Sequence, residues 1–517
     1  MNRSTALLAA SLYLVSAPLL MPAQADSAKP TGATRTEHDL LGKKQVPADA
    51  YYGVQTARAL ENFQISGYTM ASFPEFVDAY VIVKLAAARA NAKVGKMKRD
   101  RLAAIEKAAQ AVLAGKYRDQ FKVDWYQGGA GTSANMNTNE VLANIGLELT
   151  GHKKGEYKFL DPHDDLNMSQ STNDSYPTAI KVALILRNAK LIAELQRLAN
   201  AFRAKGNEHL ETLKMGRTEL QDAVPMTVGQ ELHAFAAALE SEIQLLRDAE
   251  KYLYPVNMGA TAIGSGITVP KGYSQAVAAE LARLLKKPIV QAKDMFTATW
   301  SQQGFVVYSN ALRSVAITKS KIAGDLILLA SGPRAGLNEI NLPAIQPGSS
   351  IMPGKVNPVI PELVNVIAFR VVGNSAAVDM AAHSGQLQLN AYEPVEGLVM
   401  MESQQLLVAS SSALRTKCVD GITVNDKVLG ENMEETVGTV TALVPVVGYE
   451  KATELADEAY KSGKGLLQVV REKKVLTEAQ IKQLLDPVKL TNLDRIKYPQ
   501  TTQQTARRPT TPAPRNP

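Results

Sequence analysis

Cysteine is almost missing from this chain: 517 residues carry one, Cys418. A single thiol can form neither an internal disulfide nor a thiolate zinc site, and its plainest role is that of a buried apolar filler. Histidine is scarce too, six residues in all. None of them stands in HExxH or any other paired-ligand spacing, so no metal site is read. Charge of one sign is not in large excess, since 57 Lys and Arg face 50 Asp and Glu for a net +7. The two signs are interleaved, which argues against nucleic acid as a partner. Beyond the first 25 residues no run is read as long and apolar enough to span a bilayer. Strand signals are few and short, as at Ala262 to Val269. Gly264-Ser265-Gly266 echoes a dinucleotide motif, but no βαβ unit surrounds it.

What is present divides along the chain. Arg3 precedes an apolar run from Ala6 to Leu20, followed by Ala23-Gln24-Ala25, a small-x-small cleavage signal. Residues 1–25 therefore read as a secretory signal peptide, with a mature start at Asp26 and a periplasmic or secreted destination. Pro18 and Pro22 interrupt the run, which argues against an uncleaved anchor and against stable membrane association after cleavage. Asp26 to Thr36 reads as polar and flexible. Residues 501–517, rich in Thr, Pro, Gln and Arg, read as a disordered tail.

The remainder is too long for one ordinary core, so two or three domains are expected. It reads as helix. Leu184, Leu191, Leu195, Leu198 and Phe202 fall on one helical face. Val228, Leu232, Phe235, Leu239, Ile243 and Leu246 form a second such set, and Leu312, Val315, Ile322, Leu326 and Leu329 a third. The fold class is all-α, a bundle of long antiparallel helices. Apolar residues spread past one stripe in Val364 to Val372, which points to additional packing partners from other subunits.

Four segments do not read as helix faces: Gly128 to Asn137, Ser169 to Asp174, Gly216 to Ala223, and Gly348 to Pro358. Each alone has a plain reading, as a helix cap or a turn. Together their hydroxyls, amides and helix N-termini suit an anion. Lys355 adds a full positive charge, which fits a small dicarboxylate better than a phosphate ester or an apolar ligand.

Gly348-Ser349-Ser350-Ile351-Met352-Pro353-Gly354-Lys355-Val356-Asn357-Pro358 matches GSSxMPxKxNP, the signature of the fumarase/aspartase superfamily, at every fixed position. The other three segments occur in that superfamily's order, and the resemblance runs from about Thr36 to about Tyr498. Gly131 to Glu140, Ser171 to Asp174, Lys355 to Glu362 and Gly385 to Val395 resemble its aspartase branch. The resemblance implies a three-domain subunit: an N-terminal domain over 26–170, a central helical bundle over 171–427 and a small C-terminal domain over 428–500. It further implies a homotetramer with a 20-helix core whose active sites each draw on three subunits.

The implied reaction is reversible deamination of L-aspartate to fumarate and ammonium. The resemblance assigns the base to Ser349, and the aci-carboxylate intermediate to Thr132, Ser171, Thr172 and Ser350. Lys355 and Asn357 would hold the α-carboxylate, and Asn173 and Thr218 the α-ammonium. No cofactor is required, although some family members respond to divalent cations. Fumarases of the family carry His in the third segment where this chain has Glu219, which reads either as a tolerated substitution or as a carboxylate accepting from the α-ammonium. Two alternatives stand: a class II fumarate hydratase, and a non-catalytic exported relative that binds dicarboxylates.

Overall fold

The computed structural model describes residues 32–495 and 498. The expected leader 1–25, the start at Asp26 and the tail 501–517 lie outside these residues. At the N-terminal side, β1 (Thr34–Asp39) pairs antiparallel with β2 (Gly42–Pro47). The stretch expected to be flexible up to Thr36 is thus ordered from Thr34. Its Arg35 guanidinium donates to the carbonyls of Pro47, Ala50 and Tyr52. Polar composition hid this strand because its partners are backbone carbonyls supplied later in the chain.

Four helices follow: α1 (Val54–Asn62), α2 (Pro74–Lys93), α3 (Arg99–Leu113) and α4 (Thr132–Leu149). Proline at the first position of α2 costs no hydrogen bond there. Gly131 precedes α4 at φ 84°, and a Cβ on it would meet the Tyr176 ring at 2.5 Å. Only glycine allows α4 to approach the next helix so closely.

The centre is built from α5 (Thr172–Glu208), the hairpin β3 (Leu213–Thr218) and β4 (Gln221–Thr227), and α6 (Val228–Glu250). Two shorter helices, α7 (Tyr273–Leu285) and α8 (Met295–Trp300), lead to α9 (Gln303–Leu329). Long helices α10 (Val359–Ser384) and α11 (Glu393–Lys417) complete the bundle. The three apolar sets read from the sequence lie on α5, α6 and α9, and every member is buried. α5 packs on α2, α6 and α11, while α10 packs on α9 and α11.

Two expectations need correction here. The supposed strand at Ala262–Val269 is a chain of turns, with left-handed backbone at Gly264, Gly266 and Thr268. Apolar character there reflects a tight loop pressed on the backbone of Phe296, which a Cβ on Gly264 would meet at 2.5 Å. Among the described residues the strands form two-stranded sheets only. Secondly, α10 is long and apolar enough by itself to cross a membrane, with a mean hydropathy of 1.3. One side, with Val364, Ala368, Val371 and Val378, is buried in the bundle. The other leaves Val366, Phe369 and Met380 at 61%, 70% and 72% exposure.

Beyond α11 come α12 (Asp426–Glu435), α13 (Val440–Val447), α14 (Tyr449–Ser462), α15 (Leu466–Glu472), α16 (Glu478–Leu484) and α17 (Pro487–Leu490). Leu443, Leu455, Leu466, Val470 and Ile481 give this end a small core of its own. It is tied back to the centre by packing of α12 on β3 and by side-chain contacts. Thr436 Oγ1 donates to Asp222 Oδ2 at 2.7 Å, and Gln230 Nε2 donates to the Thr491 carbonyl at 2.9 Å. The Tyr498 ring stacks on His233 of α6 at 4.1 Å.

Candidate active site

The first two polar segments open two helices. Thr132 is the exposed first residue of α4, and its Oγ1 donates to the Gly129 carbonyl at 2.8 Å. Ser171 caps α5: its Oγ accepts from Asn173 N at 3.2 Å, while Asp174 Oδ1 accepts from Ser171 N at 3.0 Å. Capping and anion binding are compatible, because α5 is 37 residues long and its remaining N-terminal N–H groups and dipole favour negative charge. Ser171 and Asn173 are half-buried at this end, and Thr172 is buried.

A buried network behind these residues was not read from the sequence. Lys84 of α2 donates from Nζ to Asn135 Oδ1 at 2.6 Å, Asn167 Oδ1 at 3.1 Å and Gln170 Oε1 at 3.0 Å. Three acceptors satisfy the three N–H groups of the ammonium, and they join α2 to both polar segments. Tyr80 Oη also donates to Asn135 Oδ1. Burial pushes the Lys84 ammonium downward and the Asp174 carboxyl upward in pKa. Their mutual attraction, and backbone N–H groups on Asp174, oppose both shifts. One signal was available: Lys84 lies four and eight residues after Tyr80 and Phe76, on the buried face of α2.

Asp174 also reaches a loop after α6. Its Oδ2 accepts from Gly259 N at 3.1 Å and Thr261 N at 3.0 Å. Asn173 Nδ2 donates to the Ala262 carbonyl of the same loop at 2.8 Å.

The third segment forms the β3–β4 hairpin. Thr218 pairs with Gln221, leaving Glu219 and Leu220 as a two-residue turn with φ of 53° and 65°. Left-handed backbone at both positions is a type I′ turn, usually built from Asn and Gly. Thr218, Glu219 and Leu220 are exposed. The hairpin base is fixed by Glu339, whose buried carboxylate receives Arg217 at 2.5 Å and lies 3.0 Å from Lys214.

The fourth segment is a loop between α9 and α10 closed on itself. Gly348 N donates to the Lys355 carbonyl at 2.7 Å, and Asn357 Nδ2 donates to the Gly348 carbonyl at 2.9 Å. Ser349 Oγ accepts from Ile351 N at 3.1 Å and Met352 N at 2.9 Å. Two N–H groups on one hydroxyl oxygen stabilise negative charge on it. Ser350 and Lys355 are exposed. The second amide N–H of Asn357 makes no hydrogen bond among the described residues.

Among the described residues, Lys84 ties the first and second segments together, through Asn135 and Gln170. No hydrogen bond joins either of them to the Thr218–Glu219 turn or to the 348–357 loop. Nor do any three His, Cys, Asp or Glu side chains cluster as metal ligands among the described residues.

Comparison with known proteins matches residues 42–373 to a family described as Lyase, and residues 440–492 to one described as Fumarase C C-terminus. An aspartate ammonia-lyase of Pseudomonas aeruginosa is 51% identical over 459 residues, covering 89% of this chain and 97% of that protein. A crystal structure of a fumarate lyase:delta crystallin from Brucella melitensis bound to cobalt has a TM-score of 0.85 at 47% identity. It is matched over 88% of this chain and 99% of its own. A class II fumarase structure from Schistosoma mansoni has a TM-score of 0.81 at 32% identity, over 89% and 99%.

Proposed function

Since this chain belongs to the lyase family of fumarases and aspartases, we propose that it is an aspartate ammonia-lyase, a carbon–nitrogen lyase interconverting L-aspartate with fumarate and ammonium. The observation that carries the mechanism is the pair of backbone N–H groups on Ser349 Oγ. A serine hydroxyl is a poor base until it ionises, and two N–H dipoles lower the cost of the alkoxide. Ser349 removes the proton next to the β-carboxylate. Charge then builds on that carboxylate, held by Thr132, Ser171, Thr172 and Ser350, with α5's N-terminus behind it. Lys355 and Asn357 take the α-carboxylate. Asn173, Thr218 and Glu219 accept from the α-ammonium, which leaves as ammonia and is then protonated. The reaction proposed requires no cofactor, because stabilising the dianion is the main catalytic contribution.

In this reading the active protein is a homotetramer with a 20-helix core. The apolar outer face of α10 supports it, as does the separation of the polar segments into groups that no hydrogen bond among the described residues of one chain joins. Light scattering should return a mass near four chains. Residues 1–25 support export and a mature start at Asp26, and mass spectrometry showing an intact Met1 in a cytoplasmic fraction would overturn that part.

The decisive experiment supplies fumarate with and without ammonium. Aspartate formed only with ammonium is the expected result. Malate formed without it would make the protein a hydratase, and binding of dicarboxylate with no turnover would make it a non-catalytic relative.

A further inference from the structure

Pro177 lies inside α5, in its second turn. Having no N–H, it leaves the carbonyl of Asn173, four residues earlier, without its helical donor. That carbonyl is taken instead by Asn257, whose Nδ2 donates to it at 3.0 Å. Asn257 is fully buried and opens the loop that also carries Gly259, Thr261 and Ala262. The Asn173 side chain meets the same loop, at the Ala262 carbonyl. A carbonyl can only accept, so the amide nitrogen must face it. The amide oxygen then points the other way, and it accepts no hydrogen bond among the described residues. The next residue, Asp174, is fully buried and grips the loop at two N–H groups. One of these belongs to Thr261, a β-branched residue at φ 55°. Such backbone persists only where its surroundings impose it.

We infer that the 257–262 loop, with Asp174 and Pro177, is a bracket that fixes the orientation of the Asn173 amide, so that its oxygen is presented to the substrate's ammonium. Asp174, Asn257 and Pro177 are positioning residues acting through Asn173. The inference rests on the reading above in which Asn173 meets the ammonium. An amide free to turn would offer N–H to that group half of the time and repel it. The bracket removes this alternative before substrate arrives. Its effect therefore falls on ligands that bring an amine, aspartate and ammonium, and not on fumarate or succinate, which bring carboxylates alone.

The test uses the full-length protein and three variants. Asp174→Asn replaces an oxygen that accepts from the loop with a group that can donate, and loosens the bracket. Pro177→Ala restores an N–H that competes with Asn257 for the Asn173 carbonyl, and raises helix propensity, so it folds even if the first variant does not. Both should raise the Michaelis constants for aspartate and ammonium about three- to tenfold, less than loss of the whole charge-assisted bond because the amide is loosened and not removed. The Michaelis constant for fumarate at saturating ammonium, and inhibition by succinate, should stay within about twofold. A rise of the same factor for all four ligands would overturn the inference, since it would report general loss of site structure. Asn173→Ala separates the two levels. If it leaves the aspartate and ammonium constants at their native values, the assignment of Asn173 fails and the bracket with it. If it raises them while Pro177→Ala leaves them unchanged, the bracket alone is overturned.

Discussion

The N-terminal end of α5 and the 348–357 loop carry parts of the same proposed chemistry, yet they are held in opposite ways. At α5, Asp174 and Lys84 are buried, and their partners come from α2, α4, the segment before α5 and the loop after α6. The 348–357 loop is held by hydrogen bonds within itself, and Ile351 stands out from it at 84% exposure. The difference separates two tasks. The end that would stabilise charge in the proposed mechanism is held by buried hydrogen bonds, as electrostatic preorganisation requires. The loop that would carry the base in the proposed mechanism stands open to solvent, as loops that close over substrate do.

The comparison makes each half breakable in its own way. Ser349→Ala should lose at least ~100-fold in turnover, the usual weight of a missing general base, with an unchanged melting curve. More than about a tenth of native turnover remaining would remove Ser349 from the role. Lys84→Met should show the opposite signature. Asn135, Asn167 and Gln170 would be left without their buried donor, costing about 3 kcal/mol or more in stability by chemical denaturation. A denaturation midpoint equal to the native one would mean that the α5 end does not depend on the network.

Glu219→Gln probes the exposed hairpin tip, which belongs to neither half. It should raise the Michaelis constant for aspartate and tighten succinate inhibition, because a charge-assisted bond contributes about 1.5–3 kcal/mol. If neither constant moves by more than about twofold, Glu219 is a bystander. The smallest effect is expected at His233, on the C-terminal contact with Tyr498. Burial and the nearby Arg203 hold its ring at a pKa of about 4, against an ordinary 6.5. The native state thus disfavours its proton. Stability is full above about pH 6.5 and falls as the pH drops toward about 4. His233→Gln, which cannot titrate, should flatten that part of the stability curve. A native-like slope in the variant would assign the acid sensitivity elsewhere.

Much of this was legible beforehand, for identifiable reasons. Residues such as Leu195 and Leu326 repeat at helical spacing, and that period survives any tertiary arrangement. The polar segments stood out because Ser349 to Asn357 and Ser171 to Asp174 interrupt it. The bracket was not legible, because it joins Asn173 to Ala262 through a backbone carbonyl, which no side-chain pattern records. Nor was the strand at Thr34–Asp39, whose arginine finds its acceptors only once the chain has turned back. Lys84 was passed over despite its spacing from Phe76 and Tyr80, since a lone cation on a helix is ordinarily solvated.

The Glu219–Leu220 turn leaves an opening for engineering. Two non-glycine residues in left-handed backbone cost on the order of 1 kcal/mol each, so this tip is occupied against the preference of its own turn. The strands on either side are held by the Thr218–Gln221 pair and by Thr436 on Asp222. Position 219 can therefore be varied without repacking the protein, and asparagine, aspartate or glycine there would ease the backbone as well. For redirecting the enzyme toward amines other than ammonium, a library at this one residue samples chemistry at almost no risk to folding.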